Sequence, residues 1–233
     1  MKYNARDFVS KCVRAAKNNG YIVENIGAIS GVSIPLIYKP GVTKLISSGM
    51  HGNEPAGVFA SIYCIENNFN AAFLPLLNPF GFQHNTREDG SDRDPNREYF
   101  SSDPPSIGKL IIKHSKKILP LCKDGAMSLH EDVDSDGFYI YYATKDMQLL
   151  SRLNETGKLC FKTISEHNIK ENNLTTNLAK NHEMMVQDED TSLENWFMVQ
   201  GIPTVITVET PAQKGLMDRA AAHIGFVQTF LKE

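Results

Sequence analysis

Short strand-like segments, Ala71–Leu77 among them a continuous apolar run, alternate along this chain with segments of helical periodicity, and that alternation restricts the fold more than any single residue does. Lys44–Ser48, Ala71–Leu77, Ala126–Leu129 and Thr204–Val208 read as strands, with Phe138–Ala143 as a further one. A strand covered on both faces loses the polar alternation of a half-exposed one, so a continuous apolar run is its signature. Between these runs lie helical stretches. Asn4–Asn19 places Phe8, Val9, Cys12, Val13 and Ala16 on one face and stops at Gly20. Ala56–Ile65 follows Pro55, a residue suited to a first helical turn. Ile107–Leu119 and Asp146–His167 are helical in pattern, and Leu216–Leu231 closes the chain with an amphipathic helix. Near the N-terminus, Tyr21–Ile26 and Val32–Tyr38 form a predicted hairpin, with Pro35 making the second strand irregular or an edge. The pattern predicts one α/β domain over residues 1–233, with a mixed, mostly parallel sheet flanked by helices.

Ligands of such sheets gather just beyond the carboxyl ends of the strands. His51, Asn78, His130 and Glu209 each fall where a predicted strand ends, so one sheet edge would collect all four. His51 and Glu54 stand three apart at a strand-to-helix turn, within reach of one ion. His130 adds a second imidazole. Two histidines and one carboxylate form a three-ligand set for a catalytic Zn²⁺ that keeps a position open. Arg87, and Arg97 within Asp94-Pro-Asn96-Arg97, supply fixed positive charge for a carboxylate. Glu209 supplies a general base. The combination points to metal-assisted hydrolysis of an amide bond. The remaining histidines, His84, His114, His167, His182 and His223, lack such flanks and read as surface or loop residues.

Taken in order, these segments resemble the zinc carboxypeptidases, and the small bacterial members with peptidoglycan-peptide amidase activity in particular. Gly49-Met-His51-Gly-Asn-Glu54 looks like the family's first zinc motif. Asn78-Pro-Phe-Gly81 with Arg87 resembles its Asn-Pro-x-Gly…Arg segment. Asp94-Pro-Asn96-Arg97 is similar to Asp-Leu-Asn-Arg, with Pro95 in place of leucine. Leu129-His130 and Val208-Glu209-Thr210 stand where the third ligand and the catalytic glutamate are expected. The resemblance implies one Zn²⁺ on His51, Glu54 and His130, at the carboxyl ends of the strands. It implies Glu209 taking a proton from the zinc-bound water and passing it to the leaving amine. Arg87 would stabilise the oxyanion, and Asn96 and Arg97 would grip the substrate's terminal carboxylate. Asp94 would orient a zinc-bound histidine. Glu194, in the segment resembling the specificity pocket, would favour a basic terminal side chain. The substrate implied is a peptide or acylated amino acid with a free carboxylate.

One departure matters. All eight tyrosines lie at or before Tyr142, so the loop before the last strand carries none where the family has its mobile tyrosine. Two other readings stay open: an N-acyl-amino-acid deacylase of the aspartoacylase and succinylglutamate desuccinylase type, which shares the HxxE…H metal set, and, given the missing tyrosine, a non-catalytic metal- and peptide-binding module. Glu131 to Gly137 mimics the start of a calcium loop, but Ala143 stands where the closing acid belongs, so the run reads as an acidic rim.

Composition narrows the remaining possibilities. With 24 Lys and Arg against 27 Asp and Glu, the net charge is −3, which argues against nucleic acid or an anionic membrane as partner. No apolar run nears the ~18 residues of a membrane span. Met1–Arg14 has mixed charge and no apolar core, unlike a signal peptide, and Cys12, Cys64, Cys122 and Cys160 form no CxxC pair. These features predict a cytoplasmic enzyme with idle thiols. They leave its oligomeric state open.

Overall fold

The computed structural model describes residues 3–164, 178–180 and 191–232. Its centre is one eight-stranded sheet in the order β1-β2-β4-β3-β5-β8-β6-β7. The strands are β1 (Ile22–Ile29), β2 (Val32–Tyr38), β3 (Lys44–Ser48), β4 (Ala72–Leu74), β5 (Gly125–Asp132), β6 (Tyr139–Ala143), β7 (Leu178–Lys180) and β8 (Val205–Pro211). The four in the middle, β4-β3-β5-β8, run parallel. The flanks bring in antiparallel pairs: β1 with β2, β2 with β4, and β6 with β8. The sheet is therefore mixed, with the expected parallel arrangement at its centre.

Successive side chains of a strand point to opposite faces, and here helices cover both. Ile46, Phe73, Met127 and Ile206 face α1 (Ala5–Asn18), α2 (Pro55–Glu66), α6 (Met147–Cys160) and the last helix, α8 (Leu216–Leu231). Leu45, Leu74, Ala126 and Val205 face α4 (Ser106–Lys113), α5 (Ser115–Leu121) and α7 (Leu193–Val199). This two-sided burial explains why the central strands show no solvent-facing polar alternation; even their Ser47, Ser48, Ser128 and Thr207 are buried. The same alternation sends consecutive residues of β5 in opposite directions: His130 to the α7 side, Glu131 to the side of α2 and α8.

Several elements differ from their expected bounds. The apolar run Ala71–Leu77 is a strand only over Ala72–Leu74, because Pro75 has no N–H for the ladder. Leu77 and Asn78 instead donate to the Ser48 and Gly49 carbonyls, at 3.2 and 2.8 Å. The polar segment 78–105, expected as loop, begins with a short helix, α3 (Pro79–His84), capped by the Asn78 side chain accepting from the Gly81 N–H at 2.9 Å. The expected helix Ile107–Leu119 is two helices meeting at His114. The helix from Asp146 ends at Cys160, and its expected continuation to His167 lies partly outside the described residues, as does His182. Pro35 is not in an edge strand; it pairs with Asn25, beside the register shift between Asn25 and Ala28. No helix among the described residues is long and apolar enough to cross a membrane.

Candidate metal centre and its surroundings

The turn after β3 and the start of α2 carry the first two candidate ligands. Gly49 there has φ +64°, a left-handed conformation that glycine adopts without steric cost. Gly52 lies directly on the backbone of Gly81; a β-carbon at Gly52 would come within 1.7 Å of the Gly81 carbonyl carbon. The glycines of the two motifs are thus one contact, which lets the ligand turn and the α3 turn share space. Asn78 extends the same joint, its Nδ2 donating to the carbonyls of Arg87 (3.2 Å) and Glu88 (3.0 Å). That fixes the backbone from which Arg87 reaches back.

His51, Glu54 and His130 are each buried, and one ligand atom from each lies within 4.8 Å of the others. Both imidazoles aim Nδ1 at the Glu54 carboxylate, His51 at 2.6 Å from Oε1 and His130 at 2.9 Å from Oε2. Their Nε2 atoms point away, His51 to Asp94 Oδ1 at 3.1 Å and His130 to Glu194 Oε1 at 3.6 Å. This donor set fits a divalent cation. The two Nδ1 atoms and the carboxylate converge; the His51 Nε2 is hydrogen-bonded to Asp94, which fixes its tautomer, and the His130 Nε2 faces the Glu194 carboxylate at 3.6 Å.

Charge bears the same mark. Burial raises the Glu54 carboxyl, but the adjacent His51 and His130 outweigh it and hold it at about 2. Burial lowers His130, yet Glu54 and Glu194 push it well above the ordinary imidazole range. Arg87 adds fixed positive charge. Its Nη2 and Nε donate to Asp94 Oδ2 at 2.9 and 3.1 Å, and its Nη1 lies 3.2 Å from His51 Nδ1 and 3.5 Å from Glu54 Oε1. Burial raises the Asp94 carboxyl, but His51 and Arg87 bring it far below the usual carboxylate range.

Glu209 lies inside β8, and His130 inside β5, rather than beyond the strand ends, because both strands run further than their apolar cores. They are register partners and stand side by side on the α7 face. On its other flank Glu209 pairs with Tyr139 of β6. The Tyr139 hydroxyl donates to Asp132 Oδ2 at 2.7 Å, reaching over β8 to β5. Glu209 is partly exposed. Burial chiefly, helped by Glu54 and Asp132, pushes its carboxyl up to about 8 against the pull of His130 and Arg87.

Asn96, Arg97 and Glu194 occupy different positions from one another. Arg97 is exposed, with Nη1 donating to the Asn96 carbonyl at 2.9 Å. Asn96 is buried and its side chain is committed internally: Nδ2 donates to Glu194 Oε2 at 3.0 Å, and Oδ1 accepts from the Leu193 N–H at 3.0 Å. Glu194 is buried beside His130, with Oε1 closed to solvent.

Some residues that shape the site were not singled out in the sequence. Glu131, expected on an acidic rim, turns inward, accepts the Ala56 N–H at 2.6 Å at the start of α2 and pairs with buried Arg219 of α8. His223, expected at the surface, is fully buried, with Nε2 3.1 Å from Thr210 Oγ1; burial first, then His130 and Arg219, lower it to about 3. Tyr139 and Asp132 flank Glu209 through a strand pairing that has no local sequence signal. For His223, the helical spacing of Arg219, Ala220, His223 and Phe226 on an apolar face was the available clue.

No protein-family model matches this chain, and no curated protein matches it in sequence. Solved structures do. A candidate metallopeptidase from Shewanella denitrificans is 25% identical and superposes with a TM-score of 0.84, over 96% of this chain and 87% of that one. The murein-tripeptide amidase MpaA from Escherichia coli O157 is 15% identical over 92% of this chain and 94% of its own, with a TM-score of 0.63. A succinylglutamate desuccinylase/aspartoacylase from Rhodobacter sphaeroides is 18% identical, over 91% of this chain and 63% of that one, with a TM-score of 0.55. Metallo-carboxypeptidases superpose as well. The fold is the one that the ordered motifs of the sequence pointed to.

Proposed function

We infer, from a fold shared with metallopeptidases and metallo-carboxypeptidases, that this chain is a metal-dependent hydrolase of amide bonds next to a carboxylate-bearing terminal residue. The observation that carries this reading is the convergence of His51 Nδ1 and His130 Nδ1 on Glu54, with Glu209 and Arg87 beside them. His51, Glu54 and His130 would hold one Zn²⁺, which when bound supplies Lewis-acid polarisation of a carbonyl and acidifies water.

The chain's own groups supply the rest. Glu209 accepts the proton of the attacking water and delivers it to the departing amine. Glu209 stands beside His130 and within the field of Arg87, whose positive charges favour its ionised, proton-accepting form. Arg87 leans over His51 and Glu54 with a partly exposed guanidinium and donates to the oxyanion as it forms, an effect worth about 3–4 kcal/mol per donor. Arg97, exposed at the rim, receives the terminal carboxylate of the substrate with its planar fork. Asp94 holds His51 and Arg87 at once, so it ties ligand and oxyanion donor into one unit.

The test is hydrolysis by zinc-loaded protein of muramyl tripeptide, γ-D-Glu-diaminopimelate, peptides ending in Lys and in Phe, and N-acetylaspartate, with Glu209→Gln alongside. Cleavage of one peptide class, with kcat about 10²–10⁴-fold lower in the variant at equal zinc content, supports the reading. Cleavage of N-acetylaspartate alone favours the deacylase, and zinc binding without turnover favours the binding module.

A further inference from the structure

We propose that Glu194 is the positioning carboxylate of His130, and that Asn96 couples it to Asp94, the carboxylate of His51. This rests on the metal-centre reading and adds to it the groups that hold the ligands in place. Three observations carry it. Each histidine presents Nδ1 to Glu54 and Nε2 to a different carboxylate: Asp94 Oδ1 at 3.1 Å, Glu194 Oε1 at 3.6 Å. Asn96 joins those two carboxylates, its backbone N–H donating to Asp94 Oδ1 at 2.8 Å and its Nδ2 to Glu194 Oε2 at 3.0 Å. Glu194 is buried, and its Oε1 reaches no solvent, so the atom facing His130 is not presented to a substrate side chain.

The chemistry follows from the tautomers. A histidine that gives Nδ1 to a cation carries its proton on Nε2, and a carboxylate facing that N–H fixes the ring and raises its basicity. Loss of such a partner typically weakens metal binding about 10–100-fold. Asn96 also accepts the Leu193 N–H, which seats the first turn of α7 and with it Glu194. The loop carrying Asp94 and the helix carrying Glu194 are therefore one frame around both rings.

The experiment is competition for zinc between the full chain and a chromophoric chelator, with the Co²⁺ absorption bands as a second readout. Kd is expected to rise about 10–100-fold in Glu194→Gln, less in Glu194→Asp, which keeps the charge on a shorter arm, and several-fold in Asn96→Ala. The ratio of kcat/KM for peptides ending in Lys and in Phe should stay at the parent value throughout. If Glu194→Gln does not fold, Glu194→Asp and Asn96→Ala carry the same test. An unchanged Kd in all folded variants, or a lost preference between Lys and Phe, overturns the pairing alone. A parent chain that binds no zinc overturns the metal centre and the pairing with it.

Discussion

Glu209 and Glu54 stand in one charged cluster yet are driven in opposite directions. In the folded chain without an ion Glu209 keeps its proton up to about 8, against an ordinary value of 4.5. Its contribution to stability is therefore complete below pH ~4.5 and is lost as pH rises through 8. Glu54 and Glu194, held at about 2, act in reverse: their stabilisation is present above pH ~4.5 and fades as pH falls towards 2. In metal-free protein at pH 8.5, Glu209→Gln should accordingly be more stable than the parent, by roughly 1–3 kcal/mol after allowance for the side chain's partial exposure. The gap should close near pH 4.5 and shrink when zinc is added. Thermal melts at the two pH values check this, and a parent more stable than the variant at pH 8.5 would count against it. The sequence singled out this residue together with His51, Glu54 and His130 because each sits in a short ordered motif. Tyr139 and Asp132, which flank Glu209, were not legible, since their meeting depends on β6 pairing antiparallel to β8 across the chain.

Among the elements, α2 has the most exacting task, because its first turn must present Glu54 to two strands at once. Its N-terminus has no side-chain cap from Glu54, and the role passes to Glu131, which accepts the Ala56 N–H and is held by Arg219 from α8. Removing one partner of a buried ion pair leaves the other charged and unsatisfied, at a cost of about 3–5 kcal/mol. Arg219→Ala should lose about that much in denaturant unfolding. A loss under 1 kcal/mol would show that the pair does not anchor α2. The sequence predicted the existence of most helices and strands, and the hairpin, from their periodicity. It missed breaks that come from single backbone effects: the early end of β4 at Pro75, the capped turn of α3 at Asn78, and the division of the 107–119 stretch at His114. An apolar run records burial, and Leu76 and Leu77 are buried without being in a strand.

At the scale of the whole molecule, the four central parallel strands place the candidate ligands and Glu209 at one end of the sheet. Covering helices bury the strand interiors, and His130 and Glu209 stand past the apolar cores of β5 and β8, still within the strands. The α/β class was therefore readable from the order of strand-like and helical segments, and the candidate site residues from where the apolar runs stop. The antiparallel flanks were not, because edge pairings leave no periodicity of their own. Resemblance to solved structures survives at 25% identity with a TM-score of 0.84, as expected when a fold is held by patterning and a few tight turns rather than by particular side chains.

The measurement that tests the central claim most directly is a zinc titration of chelator-stripped protein, following hydrolysis of the best substrate of the peptide panel. Activity should rise from background in proportion to zinc and level off at one equivalent per chain. Hydrolysis that persists without metal, or that fails to appear once one equivalent is bound, would contradict the account.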